Sequence, residues 1–170
     1  MVQKCSFLRV LEVFFVEPTT IHFVKGISKS IKLAPTSVRN HINDLLKEKL
    51  IKRKKAKPFA GFIANRESED FIFYKRAYNL YSLKELSNFL ISKYYPKLLV
   101  VYGSYALGED IEGSDLDIFV LSKTKKEVSL EKIEKKLKRG IHLFVIDDLK
   151  KLDKNLLKKL YNGIVLYGGF

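Results

Sequence analysis

The sequence has little with which to staple or anchor itself. One of its 170 residues is cysteine, Cys5, so no internal disulfide can form and a reducing compartment suits the chain. No apolar run approaches the roughly 20 residues that a membrane span needs. The opening MVQKCSFLRVLEVFFVE is apolar enough to suggest a leader peptide. Arg9, Glu12 and Glu17 interrupt it, however, and no small-residue cleavage site follows, so it reads as the first helix of the mature chain. There is no internal repeat and no low-complexity segment. These absences predict a soluble, cytoplasmic protein. Apolar residues at 46% allow a real core, and the length suits one domain or two small ones.

Acidic residues are scarce in the first third. Residues 1–65 carry 13 Lys/Arg against 4 Asp/Glu, which accounts for most of the formal net charge of +13. Concentrated positive charge is the footprint of a nucleic-acid partner, although the same lysines would also serve as a solubilising surface. Phe7, Leu11 and Phe14 recur at helical spacing until Pro18. Thr19 and Thr20 are candidate caps for a second helix, IHFVKGISKSI, with Phe23, Val24, Ile27 and Ile31 on one side. Pro35 suits the first turn of a third helix, whose apolar stripe is Val38, Ile42, Leu45 and Leu46. IKRKKAKPFAGFIA then reads as a β-hairpin with a Pro/Gly-containing turn.

Three short helices followed by a basic hairpin resemble the winged helix-turn-helix over about residues 5–64. That resemblance implies a third helix in the major groove and a hairpin on the backbone. Ser37, Arg39, Asn40 and Asn43 would then reach base edges. Lys52, Arg53, Lys54, Lys55 and Lys57 would neutralise phosphates of duplex DNA. The same residues would otherwise form a solvated helix face and a charged edge hairpin.

Residues 66–96 read as a helical connector between a DNA-binding domain at 1–65 and a second domain at 97–170. Phe71, Tyr74, Tyr78 and Tyr81 form an aromatic stripe there, which suits core, a domain seam or a homodimer interface. Ser82 with Glu85 forms a capping box, and Tyr81 could staple onto Leu86, for a helix from about Leu83 to Lys93. From Lys97 the pattern becomes α/β. KLLVVYG, DLDIFVL, IHLFVI and GIVLYG read as strands. LEKIEKKLKR, capped by Ser129 and ending at Gly140, and DDLKKLDKNLLKKLYN read as helices.

The stretch GSYALGEDIEGSDLDIFV holds the chemistry. Asp115 and Asp117 are two apart in a strand-like segment, so their side chains share a face roughly 7 Å apart. Like charges so placed need a cation between them, and a hard divalent ion, Mg²⁺ foremost, supplies it. Gly103 and Ser104 end a strand where backbone can approach a ligand and bind phosphate oxygens. Glu109, Asp110 and Glu112 read as a solvated acidic loop.

The same stretch is similar to the nucleotidyltransferase signature of the DNA polymerase β-like superfamily, in the compact form of the minimal nucleotidyltransferases of prokaryotes. With the preceding helices it resembles archaeal members that carry a DNA-binding domain. The resemblance covers about residues 97–167. It implies a mixed sheet flanked by helices. It also implies that Gly103 and Ser104 bind a nucleoside triphosphate and that Asp115 and Asp117 hold Mg²⁺ or Mn²⁺. Two departures stand out. Relatives carry a third carboxylate on a neighbouring strand, where GIHLFVID has His142. Many also have arginine where this chain has Leu107. Imidazole is a poor Mg²⁺ ligand beside carboxylates but can take a proton near neutral pH. The sequence therefore supports two readings. One is a metal-dependent transferase with Asp115, Asp117 and His142 in catalysis. The other is a catalytically weak or silent DNA-binding regulator or antitoxin-like protein on the same fold.

Overall fold

The computed structural model describes residues 5–57, 59–124 and 126–170. The first four positions of the expected leading helix and Pro58 of the expected hairpin turn lie outside the described residues. The chain forms two compact units, one ending at Lys75 and one spanning Arg76–Phe170. Among the described residues, no helix is long and apolar enough to cross a membrane.

In the first unit, α1 (Ser6–Val16), α2 (Val24–Ile31) and α3 (Pro35–Lys47) precede a hairpin of β1 (Ile51–Lys54) and β2 (Gly61–Ala64). Pro35 occupies the first turn of α3, where its missing N–H costs nothing. Leu11 and Phe14 of α1 and Val38, Ile42 and Leu45 of α3 are buried as expected, but of the expected α2 stripe only Ile27 is buried, while Phe23 is exposed and Val24 and Ile31 are half-buried. Thr19 and Thr20 do not cap α2. The chain is still extended at His22, which exchanges backbone hydrogen bonds with Phe62 at 2.8 Å in each direction, and α2 begins only after Phe23. Gly61 permits this third strand-like segment, because a Cβ there would lie 2.4 Å from Ile21 Cγ2 and 2.9 Å from the His22 carbonyl.

α4 (Glu69–Ser82) carries residues of both units. Phe71 is buried and packs on Phe15 at 5.3 Å, and Lys75 is buried with its Nζ donating to the Phe15 carbonyl at 2.7 Å. Tyr74 and Tyr81 are exposed, so the aromatic stripe is not uniformly core. The expected capping box is absent. Ser82 instead donates to the Asn79 carbonyl and meets the Tyr105 hydroxyl at 2.8 Å. Leu83 has helical backbone angles, so α5 (Lys84–Tyr94) starts with no extended residue to act as a cap.

The second unit is built on a mixed sheet in the order β5-β4-β3-β6: β3 (Leu98–Tyr102), β4 (Leu116–Leu121), β5 (Ile141–Ile146) and β6 (Ile164–Gly168). β3 is antiparallel to β4 and β6, while β4 and β5 are parallel. Parallel neighbours need a crossover, and α7 (Glu131–Leu137) supplies it. Ser129 does not cap α7, because Leu130 before it is already helical. Leu116, Ile118 and Val120 face a core closed by α5, α7 and the short α6 (Gly103–Leu107). Phe119 and Leu121 face the opposite side, beneath α8 (Lys154–Tyr161). The segment expected as one helix, DDLKKLDKNLLKKLYN, is broken. A 3-10 turn covers Leu149–Lys151, and Asp153 then caps α8 by accepting from the Asn155 and Leu156 amides at 2.8 and 2.9 Å. Aspartate at this position satisfies donors that continuous helix would not have left open.

Asp110 corrects the acidic-loop reading. It is 1% exposed. Arg139 donates to one carboxylate oxygen at 3.1 Å, and Asn79 donates to the other at 2.8 Å. Asn79 also reaches the Tyr105 carbonyl at 2.8 Å, so α4, α6, the 108–115 loop and the end of α7 are tied together. Removing one partner of a buried ion pair strands the other charge. Arg139→Met should therefore lower the unfolding free energy of this unit by about 3–5 kcal/mol. Arg139→Met combined with Asp110→Leu should recover part of it. Urea denaturation followed by circular dichroism measures both.

Candidate active site

The site is assembled from the ends of three strands. β3 runs out at Tyr102, and Gly103 turns the chain into α6 with φ of +73°. A side chain there would face two penalties, the left-handed backbone and a Cβ placed 2.6 Å from Asp117 Oδ2. Gly103 is thus the residue that lets the Asp117 carboxylate sit against the strand-to-helix turn. Asp117 is the second residue of β4 and pairs with Tyr102 across the antiparallel ladder. The Tyr102 hydroxyl is held above the ordinary tyrosine range by burial first and by the Asp117 charge second.

Asp115 precedes β4 at the end of the loop fixed by Asp110. Within that loop, Ser114 accepts from the Ile111 amide at 2.9 Å and returns a backbone bond to the Ile111 carbonyl at 3.0 Å. The Asp115 carboxylate lies against Gly140, where a Cβ would be 2.5 Å from Oδ1. Sequence reasoning saw Gly140 only as the end of a helix. Its role against Asp115 depends on two segments 25 positions apart, and no local pattern signals it. A shallow groove of about 400 Å³ opens beside Asp115, bordered by Glu112, Ser114, Glu134, Lys135 and Lys138.

His142 stands opposite Asp117 in the parallel β4–β5 register. Its Nε2 is 3.5 Å from Asp115 Oδ2, and its Nδ1 is 3.6 Å from Asp117 Oδ1. Ile141 and Leu143 turn to the core on the other face of β5, as alternation predicts. The structure therefore brings Asp115, Asp117, His142 and Gly103 together, with Ser104 following in α6. Among the described residues, no lysine or arginine pairs with either carboxylate, and His142 is their nearest cation-capable partner. Leu107, the departure noted in the sequence, ends α6 with its apolar side chain exposed.

Two converging carboxylates supply hard oxygen donors of the kind Mg²⁺ takes, and Mg²⁺ fills its other positions from water and phosphate. The Asp pair fits such an ion. The imidazole of His142 does not, and no set of three or more His, Cys, Asp or Glu groups is arranged to hold a metal among the described residues.

The residues expected to meet DNA lie in the first unit. Arg39, Asn40 and Asn43 are exposed on α3, and Ser37 is half-buried. Arg53, Lys54, Lys55 and Lys57 are exposed in the hairpin, whereas Lys52 is half-buried and paired with Glu67 at 2.6 Å.

The Gly103 geometry carries a direct test. Gly103→Ala should destabilise the second unit by about 1–2 kcal/mol from backbone handedness alone, with the clash against Asp117 adding to it. Gly113→Ala is the control, since a Cβ at that position meets nothing within 4 Å. Thermal denaturation of the two variants should show a lower midpoint for the first alone.

No curated protein matches the chain. The family model of the nucleotidyltransferase domain matches residues 83–167, half of the 170-residue chain. The match begins before α5, in the segment that the sequence alone assigned to a connector, and runs through β6. It takes in the Gly103 turn, Asp115 and Asp117 at the start of β4 and the crossover to β5, and by it the chain belongs to the nucleotidyltransferase domain family.

Proposed function

We propose that the second unit is a metal-dependent nucleotidyltransferase that moves a nucleoside monophosphate from a triphosphate to an acceptor hydroxyl. The observation that carries this reading is the meeting of Asp115 and Asp117 around His142, with Asp117 seated against the Gly103 turn and, among the described residues, no lysine or arginine paired with either carboxylate in a chain of net charge +13. In the reaction the acceptor oxygen forms a bond to the α-phosphorus, the bond to pyrophosphate breaks, and the hydroxyl proton leaves to a base or to solvent. Gly103 and Ser104 would hold the triphosphate, and Asp115 and Asp117 would hold Mg²⁺ or Mn²⁺. A divalent ion so bound offsets the charge that builds on the transferring group. His142, within reach of both carboxylates, is the chain's candidate for the hydroxyl proton.

A second reading rests on the same histidine. An imidazole in the place of a third carboxylate supports a protein that binds nucleotide with little turnover and acts as a DNA-binding regulator or antitoxin-like protein. One set of measurements separates the two. Calorimetry should show Mg²⁺-dependent triphosphate binding that is lost when Asp115→Asn and Asp117→Asn are combined. Pyrophosphate release should be slow in the wild type and rise by about 10²–10⁴-fold in His142→Asp, the usual worth of general-base assistance. Brisk wild-type release that collapses in His142→Ala would instead make the histidine a working base and remove the silent reading. Equal binding by the double aspartate variant would remove the site.

The first unit, we propose, is a winged helix-turn-helix that binds duplex DNA. Its order of three helices and a hairpin supports this, as does the bridge from His22 to Phe62 ahead of α2. So does the exposed basic run Arg53, Lys54, Lys55 and Lys57. If these four meet phosphates, log affinity should fall against log salt with a slope steeper than about −3. Replacing the four with alanine should flatten the slope on every sequence, while Asn40→Ala should change preference among sequences. Salt-independent affinity in a filter-binding or anisotropy titration would contradict the assignment.

A further inference from the structure

Phe144 lies two residues beyond His142 on β5 and shares its face of the sheet. It is 41% exposed, although it sits in the middle of a strand. The parallel register pairs it with Phe119, just as it pairs His142 with Asp117. The two rings stack with centroids 6.0 Å apart and planes 30° from parallel, over a Phe119 that is fully buried. The next row on this face, Leu121 with Ile146, is covered by Leu149, Leu152 and Leu156. The stacked pair thus separates a closed core row from the open row of Asp117 and His142, each step along the strands being roughly 7 Å.

Position across the sheet decides which substrate the ring meets. Gly103 ends β3, on one side of Asp117, while His142 and Phe144 belong to β5, on the other. A triphosphate held at Gly103 approaches Asp117 from the β3 side. The attacking partner then enters over β5. A rigid aromatic ring one row from the reacting groups suits a ligand that carries a flat heterocycle a few ångströms from its hydroxyl, which is a nucleoside. The second unit itself carries 17 Lys/Arg against 12 Asp/Glu, an excess that favours an anionic acceptor over a neutral small molecule. We propose that Phe144 is the stacking platform for the acceptor, and that the acceptor is the terminal nucleoside of a single-stranded nucleic acid. This rests on the transferase reading above.

The probe is a short single strand with 2-aminopurine as its 3′-terminal base, whose fluorescence is quenched on stacking. Full-length wild type should quench it, and Phe144→Tyr should do the same. Phe144→Leu keeps an apolar cover on Phe119 but has no π face. It should lose the quench and bind a trinucleotide about 5- to 100-fold more weakly, the usual worth of one stacked base. The circular dichroism spectrum should be unchanged. Independently, a strand ending in 4-thiouridine should crosslink on irradiation to the peptide that contains Phe144. Undiminished quenching by Phe144→Leu, or crosslinking elsewhere only, overturns the proposal. Mg²⁺-dependent triphosphate binding should be the same in Phe144→Leu and wild type. If that binding falls instead, the ring holds the donor base and the acceptor assignment is wrong. If triphosphate binding ignores Asp115 and Asp117 while the quench survives, the transferase reading fails and the stacking site stands alone. Nucleotide transfer to protein tyrosines with no quench of any strand would overturn the nucleic-acid acceptor.

Discussion

The contact between Arg139 and Asp110 holds the active region together. Both side chains are almost fully removed from solvent, at 4% and 1% exposure. A charge in that setting is costly unless its partner is in place, so the pair has one low-energy arrangement. Arg139 is followed directly by Gly140 and β5, and Asp110 opens the loop that ends at Asp115. Fixing the first pair therefore fixes the second, and the Asp115 carboxylate comes to rest against Gly140. Asn79 extends the same constraint to the Tyr105 carbonyl and so to α6, whose first residue is Gly103. Carboxylates that would repel one another in a flexible loop are held side by side by a cation that touches neither.

Glycine then sets how close those carboxylates come to the backbone. One carboxylate oxygen of Asp117 lies where a Gly103 side chain would be, and one of Asp115 where a Gly140 side chain would be. The arrangement leaves their other oxygens near His142. Every part of this site belongs to a short-range geometry at the end of the sheet, while the apolar rows further along β3 and β4 supply the rigidity it relies on.

Much of this was legible in the sequence because it is local. The spacing of Asp115 and Asp117, the Gly-Ser turn after an apolar run, and the alternation around His142 are properties of a few neighbouring residues, and each predicts its placement on strand or turn. The caps were less legible. Thr19, Ser82 and Ser129 have the right chemistry, but a bridge to Phe62 and helical angles at Leu83 and Leu130 left them nothing to cap. Asp153 has the same chemistry and does cap, which shows that residue type alone does not choose. Asp110 was misread because its charge suggested solvent. Only the fold brings Arg139, 29 positions later, to neutralise it. The part Gly140 plays was invisible for the same reason, since close approach is a property of two segments and not of one.

His142 occupies an edge strand of the sheet and is 70% exposed on the face away from the main core. A change of residue there disturbs almost no packing. The residue that stands between the two carboxylates is therefore also one that packing constrains little. A histidine codon is a single point mutation away from an aspartate codon. In evolutionary terms the fold and the chemistry are uncoupled at this residue. A lineage could exchange the residue between the two carboxylates without passing through an unfolded intermediate, and the scaffold would persist.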